Sequence, residues 1–127
     1  MTEKKDSDDQ GFDRSIKKHL GEIVIYQHPN PELKSFLTSE SISALRVEHF
    51  KIPFDGEAKK NSMSLGRTGS QVVKEISALK GVQEIRIKPK EVIVKKRLIS
   101  SWEEIEEQIV KILHRALRRA RMKVVSP

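Results

Sequence analysis

Trp102, Ile105, Ile109, Ile112, Leu113, Ala116, Leu117 and Ala120 recur three and four positions apart, with charged residues between them. That spacing lays one apolar stripe along a cylinder and predicts a long amphipathic helix. Ser101, with Glu104 three residues on, supplies a capping box at its start. Upstream the period shortens to two. Ile85-Arg86-Ile87-Lys88 and Val92 to Lys96 alternate on either side of Pro89-Lys90, which predicts two strands joined by a tight turn, with one wet face. Ile23-Val24-Ile25-Tyr26 is a β-branched and aromatic run closed by Pro29-Asn30-Pro31, so a strand should run into a rigid turn there. Leu33 to Leu37 continues in extended fashion. Arg46 to Ile52 alternates again and predicts a strand ending near Pro53, with Val47, Phe50 or Ile52 on one face if a bulge absorbs the uneven spacing. Val72, Val73, Ile76, Ala78 and Leu79 mark a short buried helix, with Ser70 as N-cap and Gly81 as C-cap.

Three stretches lack such a pattern. Residues 1–20 hold five basic and five acidic side chains with Phe12, Ile16 and Leu20 as the spaced apolar ones, and read as a flexible charged arm. Residues 54–69 contain three glycines and few large apolar side chains, the pattern of a mobile loop. Residues 121–127 read as a basic tail. The expected fold is therefore a small two-layer α+β domain over residues 21–120, with a four-stranded, mainly antiparallel sheet packed against two helices, the C-terminal one long.

Composition narrows the chemistry. The 127 residues include no Cys, which removes disulfides, a thiolate nucleophile and cysteine-held zinc or iron–sulfur clusters. His19, His28, His49 and His114 lack the spacing that lets two share a metal on one element, so no metal or cofactor is expected. Glu103, Glu104, Glu106 and Glu107 have no neighbouring histidine or nucleophile; they read as a solvated first turn facing the positive end of the helix dipole. No catalytic site is expected, and the chain reads as a binding protein. The opening MTEKKDSDDQ has no apolar core and no later run is long enough to span a bilayer; the expected location is cytoplasmic, away from membrane.

Charge points to partners. Of the net +7, a concentrated share lies in Arg115, Arg118, Arg119, Arg121 and Lys123, a stretch without acids. Arginines on neighbouring turns can neutralise phosphates along one groove, which makes electrostatic nucleic-acid binding an alternative function. The same charges also suit a helix C-terminus. Pro29, Asn30 and Pro31 can present a stiff recognition loop or simply order the next strand. Trp102 can anchor an interface or belong to the core stripe.

Taken as one spaced pattern, Pro29-Asn30-Pro31 with Phe36, then Ser70, Gly81-Val82, Ile85, Val92, Val94, Lys96 and Trp102 resembles the N-terminal domain of the NifU/Nfu iron–sulfur scaffold proteins, over roughly Ile23 to Leu117. The stretch from Gly81 to Trp102 carries the specific part. Departures are His28 where the family usually has Thr, Ser35 where it has the Lys before Phe36 (here Lys34 stands one place earlier), and Glu91 in place of a bulky aromatic. Those proteins normally continue into a second domain whose Cys-x-x-Cys pair holds the cluster; this cysteine-free chain is expected to act without it. The resemblance implies a non-catalytic accessory role in iron–sulfur cluster assembly and a protein partner met by Pro29, Asn30, Pro31 and Lys96.

Overall fold

A computed structural model describes residues 17–44 and 46–125, with side chains described over 21–44 and 46–121. Among the described residues six strands form one antiparallel sheet: β1 Lys17–Leu20, β2 Ile23–Gln27, β3 Leu33–Thr38, β4 Glu48–Lys51, β5 Val82–Lys88 and β6 Glu91–Lys96. Their spatial order is β1-β2-β3-β6-β5-β4. Helices α1 (Gly56–Ser62) and α2 (Gly66–Ser77), joined by a 3-10 turn at Met63–Leu65, connect β4 to β5, and α3 (Trp102–Val125) follows β6.

Alternation decides the faces. Ile25 lies opposite Phe36, Phe36 opposite Val92, Ile85 opposite Val94 and Phe50 opposite Ile85, so one face gathers these side chains with Ile23 and Ile87, all buried. Upon it α2 places Val72, Val73 and Ile76, and α3 places Ile105, Ile109, Ile112, Leu113, Ala116 and Leu117. Each fully buried Ile, Leu or Val side chain contributes about 1.5–3 kcal/mol, and the helical stripe read from the sequence supplies six of the buried core residues, the strands supplying more. Among the described residues the helices pack on this face alone, and on the sheet's other face His28 lies over Ser35, 2.7 Å from its hydroxyl.

The α+β class stands, but the sheet has six strands where four were expected. Lys17–Leu20, assigned to the arm, is β1: the Gly21-Glu22 turn folds it back so that Leu20 pairs with Ile23 and Lys17 with Tyr26. A strand edge with free backbone groups recruits even a polar segment. Residues 1–16 of the expected arm lie outside the described residues. Leu33–Thr38 is a full strand, bonded to β2 and β6.

The expected mobile loop 54–69 is mostly helical. Asp55 caps α1, its carboxylate accepting the Ala58 N–H at 3.0 Å, while Leu65 is buried and Phe54 and Ala58 pack against the core. Gly69 has a packing role: a Cβ there would lie 2.6 Å from the Ser43 Cβ, so the missing side chain lets the β3–β4 connection close over α2. In consequence α2 starts at Gly66 and not after Ser70, whose hydroxyl instead meets Ser62 at 3.1 Å. The helix ends at Ser77 with Ala78 as its C-cap, and Gly81 comes three residues after the cap at φ +100°. The expected tail is also corrected: α3 continues helically to Val125. At its start, Ser101 accepts the Glu103 N–H at 3.2 Å.

Candidate functional site

Pro29, Asn30 and Pro31 form the exposed tip of the β2–β3 hairpin. The loop is stiffened from within. The Gln27 side-chain amide donates to the carbonyls of His28 at 3.0 Å, Leu33 at 3.0 Å and Asn30 at 3.3 Å. Asn30 Oδ1 accepts the Glu32 N–H at 2.9 Å and its carbonyl accepts the Leu33 N–H at 3.0 Å. Side-chain acceptance two residues on is the turn chemistry Asn is suited to.

The loop is also braced from the other end of the chain. Trp102, the first residue of α3, donates its indole N–H to the Pro31 carbonyl at 2.8 Å. The Lys96 N–H reaches the Glu32 carbonyl at 2.9 Å. Below the loop, the Lys34 ammonium pairs with Glu106 and lies 5.2 Å from the Trp102 ring centroid, and Phe36 lies 6.4 Å from the same ring. The indole therefore packs half-buried against the core, and its polar edge holds the loop.

Lys96 is only 9% exposed. Its ammonium turns inward to the carbonyls of Arg97 at 3.2 Å and Leu98 at 3.5 Å, so it shapes the β6–α3 turn rather than presenting a charge outward. That turn carries what sequence reasoning missed: Leu98 is 76% and Ile99 93% exposed. Two large aliphatic side chains fitting neither the two-residue period of β6 nor the helical stripe of α3 were the available signal. With the prolines they put four exposed apolar residues at this end of the molecule, beside exposed Asn30 and Arg97, and hydrogen bonds and ring contacts hold the loop in shape.

The arginines of α3 do not share one groove. Arg115 and Arg119 face α2, and Arg115 bonds Glu75 at 3.1 Å. Arg119 Nε and Nη2 are shielded from solvent without a hydrogen-bond acceptor. Arg121, near the opposite flank, pairs with Glu22 and, at 2.9 Å, with Glu40. Arg118 is exposed, and Lys123 lies in the last turn of the helix. Burial pushes the Glu75 carboxyl upward, but hydrogen bonds from Gln71 and Arg115 and the charges of Arg115 and Arg119 outweigh it and hold the group below its ordinary value. A carboxylate with a lowered native pKa stabilises above its unfolded value and loses that contribution as pH falls through the native one. Glu75→Gln is therefore expected to lower stability by up to about 1 kcal/mol at neutral pH and to converge with the parent in urea titrations as pH falls from 4.5 through the lowered native value.

Among the described residues no group of three or more His, Cys, Asp or Glu is placed to hold a metal ion, and no helix is long and apolar enough to cross a membrane. No family model and no curated protein sequence matches the chain. Solved structures share its fold, among them the following two. The protein SAV1430 from Staphylococcus aureus superimposes with a TM-score of 0.52 at 17% identity, covering 70% of this chain and 93% of that one. A NifU-like protein from Saccharomyces cerevisiae superimposes with a TM-score of 0.58 at 18% identity, covering 80% and 87%. The fold is NifU-like, as the residue pattern implied.

Proposed function

We propose that this chain is a non-catalytic protein-binding domain acting as an accessory in iron–sulfur cluster assembly, and that it meets its partner with the end built by Pro29–Pro31 and Arg97–Ile99. The observation that carries the reading is the pair Leu98 and Ile99, left in solvent beside a proline loop that Trp102 and Gln27 hold rigid. A preformed loop loses little entropy on binding, and exposed aliphatic side chains gain when a partner covers them. The NifU-like fold supports the placement in cluster assembly. Without cysteine, the domain would leave cluster ligation to its partner.

The test is capture of iron–sulfur assembly proteins from native extract at physiological salt after nuclease treatment, by the parent and by Leu98→Ser/Ile99→Ser. Both positions are exposed, so the variant should unfold within about 0.5 kcal/mol of the parent. Capture should fall about tenfold or more, since covering even one such side chain is worth about 1.5–3 kcal/mol. Equal capture by the variant removes this surface from the proposal, and no such partner for the parent removes the function.

A further inference from the structure

The uncovered face of the sheet has its own composition. By register it presents Val24 and Tyr26 from β2, Leu33, Ser35 and Leu37 from β3, Glu91, Ile93 and Lys95 from β6, Glu84, Arg86 and Lys88 from β5, and His49 and Lys51 from β4. Among the described side chains its basic members are Lys51, Arg86, Lys88 and Lys95, and its acids are Glu84 and Glu91. Both acids are engaged: Glu84 bonds His49 at 2.8 Å and lies 4.0 Å from Lys95, and Glu91 lies 3.7 Å from Lys88. Arg86 and Lys51 are exposed and face none of these acids within ion-pair distance. The face is thus positive, on a chain of net charge +7.

A cavity of about 270 Å³ opens on this face, with Leu33 and Ile93 as its apolar lining and His28, His49, Glu84, Arg86 and Lys95 as its polar lining. Its planar groups are two imidazoles and a guanidinium. His28 is held in place by Ser35 at 2.7 Å and by the edge of Tyr26, with ring centroids 4.9 Å apart. His49 is held by Glu84. The volume lies below the drug-sized range and suits one planar ring.

We infer that this face binds single-stranded nucleic acid, with the backbone phosphates along Lys51, Arg86 and Lys95 and a base stacked in the cavity between the imidazoles and the Arg86 guanidinium. Rings and guanidinium planes set among cations on an open sheet are what unstacked bases use, whereas a flat sheet cannot enter a duplex groove. An acidic protein would match the charge but has no need of the planar groups around the cavity. The surface adjoins the proline-loop end at His28 and Leu33, but its test uses nucleic acid and substitutions at Arg86, Lys95, Lys51 and His49, so it stands or falls independently of the protein partner proposed above. It also takes the nucleic-acid alternative off the α3 arginines, of which Arg115 and Arg121 are already engaged within the molecule.

The experiment is fluorescence anisotropy of a short labelled oligouridylate, and its DNA counterpart, with the full chain between about 50 and 200 mM salt. Expected is saturable binding whose log K falls linearly with log salt. Arg86→Gln/Lys95→Gln should bind about tenfold more weakly with a salt slope shallower by about 1.4, and His49→Ala should weaken binding with the slope unchanged. Arg118→Gln, an exposed helix position, should bind as the parent does. All variants are first matched to the parent in thermal unfolding; should the double variant unfold early, Lys51→Gln and His49→Ala at the exposed strand edge carry the test. Absence of saturable binding at the lowest salt overturns the inference. So does binding that resists the face substitutions but is lost in Arg115→Gln/Arg118→Gln/Arg119→Gln, or displacement by polyglutamate as readily as by oligouridylate, which would mark the face as one for an acidic protein.

Discussion

Trp102→Ala should lower stability by about 3 kcal/mol in urea unfolding, the low end of the range for deleting a large aromatic because the ring is half-buried. Three contacts go together. The apolar surface against Phe36 is lost, the Lys34 ammonium loses its ring face, and the Pro31 carbonyl loses the indole donor. Trp102→Phe separates them: it keeps an aromatic ring for Phe36 and Lys34 and removes only the hydrogen bond, at about 1 kcal/mol. If the loop matters as a shaped surface, Trp102→Phe should weaken partner capture by more than its stability loss explains, because Pro29–Pro31 loses its brace while the core stays packed. Equal and small effects on both would reduce the indole to a core residue.

Gly81→Ala is the second large expected loss, again about 3 kcal/mol, read as a drop in Tm of about 10 °C or more. The backbone there sits at φ +100°, where an L side chain is strained by about 1–3 kcal/mol. A Cβ would also lie 2.7 Å from Ser100 Oγ and 3.0 Å from Ile105 Cδ1, and forcing extra volume into a packed site costs a similar amount. Gly81 further accepts the Arg97 N–H at 2.7 Å, so the substitution should disturb the turn that displays Leu98 and Ile99. A Tm unchanged within error would show that the turn can yield, and the close packing assigned to this end would be wrong.

The proline loop shows how far reading along the chain reaches. Pro29-Asn30-Pro31 was legible as a rigid turn because φ restriction and Asn side-chain bonding act within a few residues. That Trp102, 71 positions away, holds it was not legible, since both readings of the tryptophan fitted its place on the stripe. Lys96 was singled out as an outward contact, yet it turns inward because alternation along β6 puts it on the core face with Val92 and Val94. The glycines of residues 54–69 suggested mobility; Gly69 instead permits close approach to Ser43, a contact across 26 positions that composition does not encode.

What the sequence determined by itself was local: α3 and its buried stripe, the β5–β6 hairpin about Pro89-Lys90, the β2 strand with its stiff end, the α+β class, and the absence of any cysteine chemistry. Each follows from dihedral preference, side-chain period or residue inventory, which operate over a few neighbouring positions. Tertiary structure alone decided which strands are neighbours, that Lys17–Leu20 joins the sheet, that Lys34 meets Glu106 across 72 positions, and that the arginines of α3 are split between two flanks. It also left one sheet face without a described helix over it, gathering imidazoles and cations from three strands and the β2–β3 loop into a single surface. Such juxtapositions depend on which apolar faces bury each other, a choice settled by the whole core at once and not by any one segment.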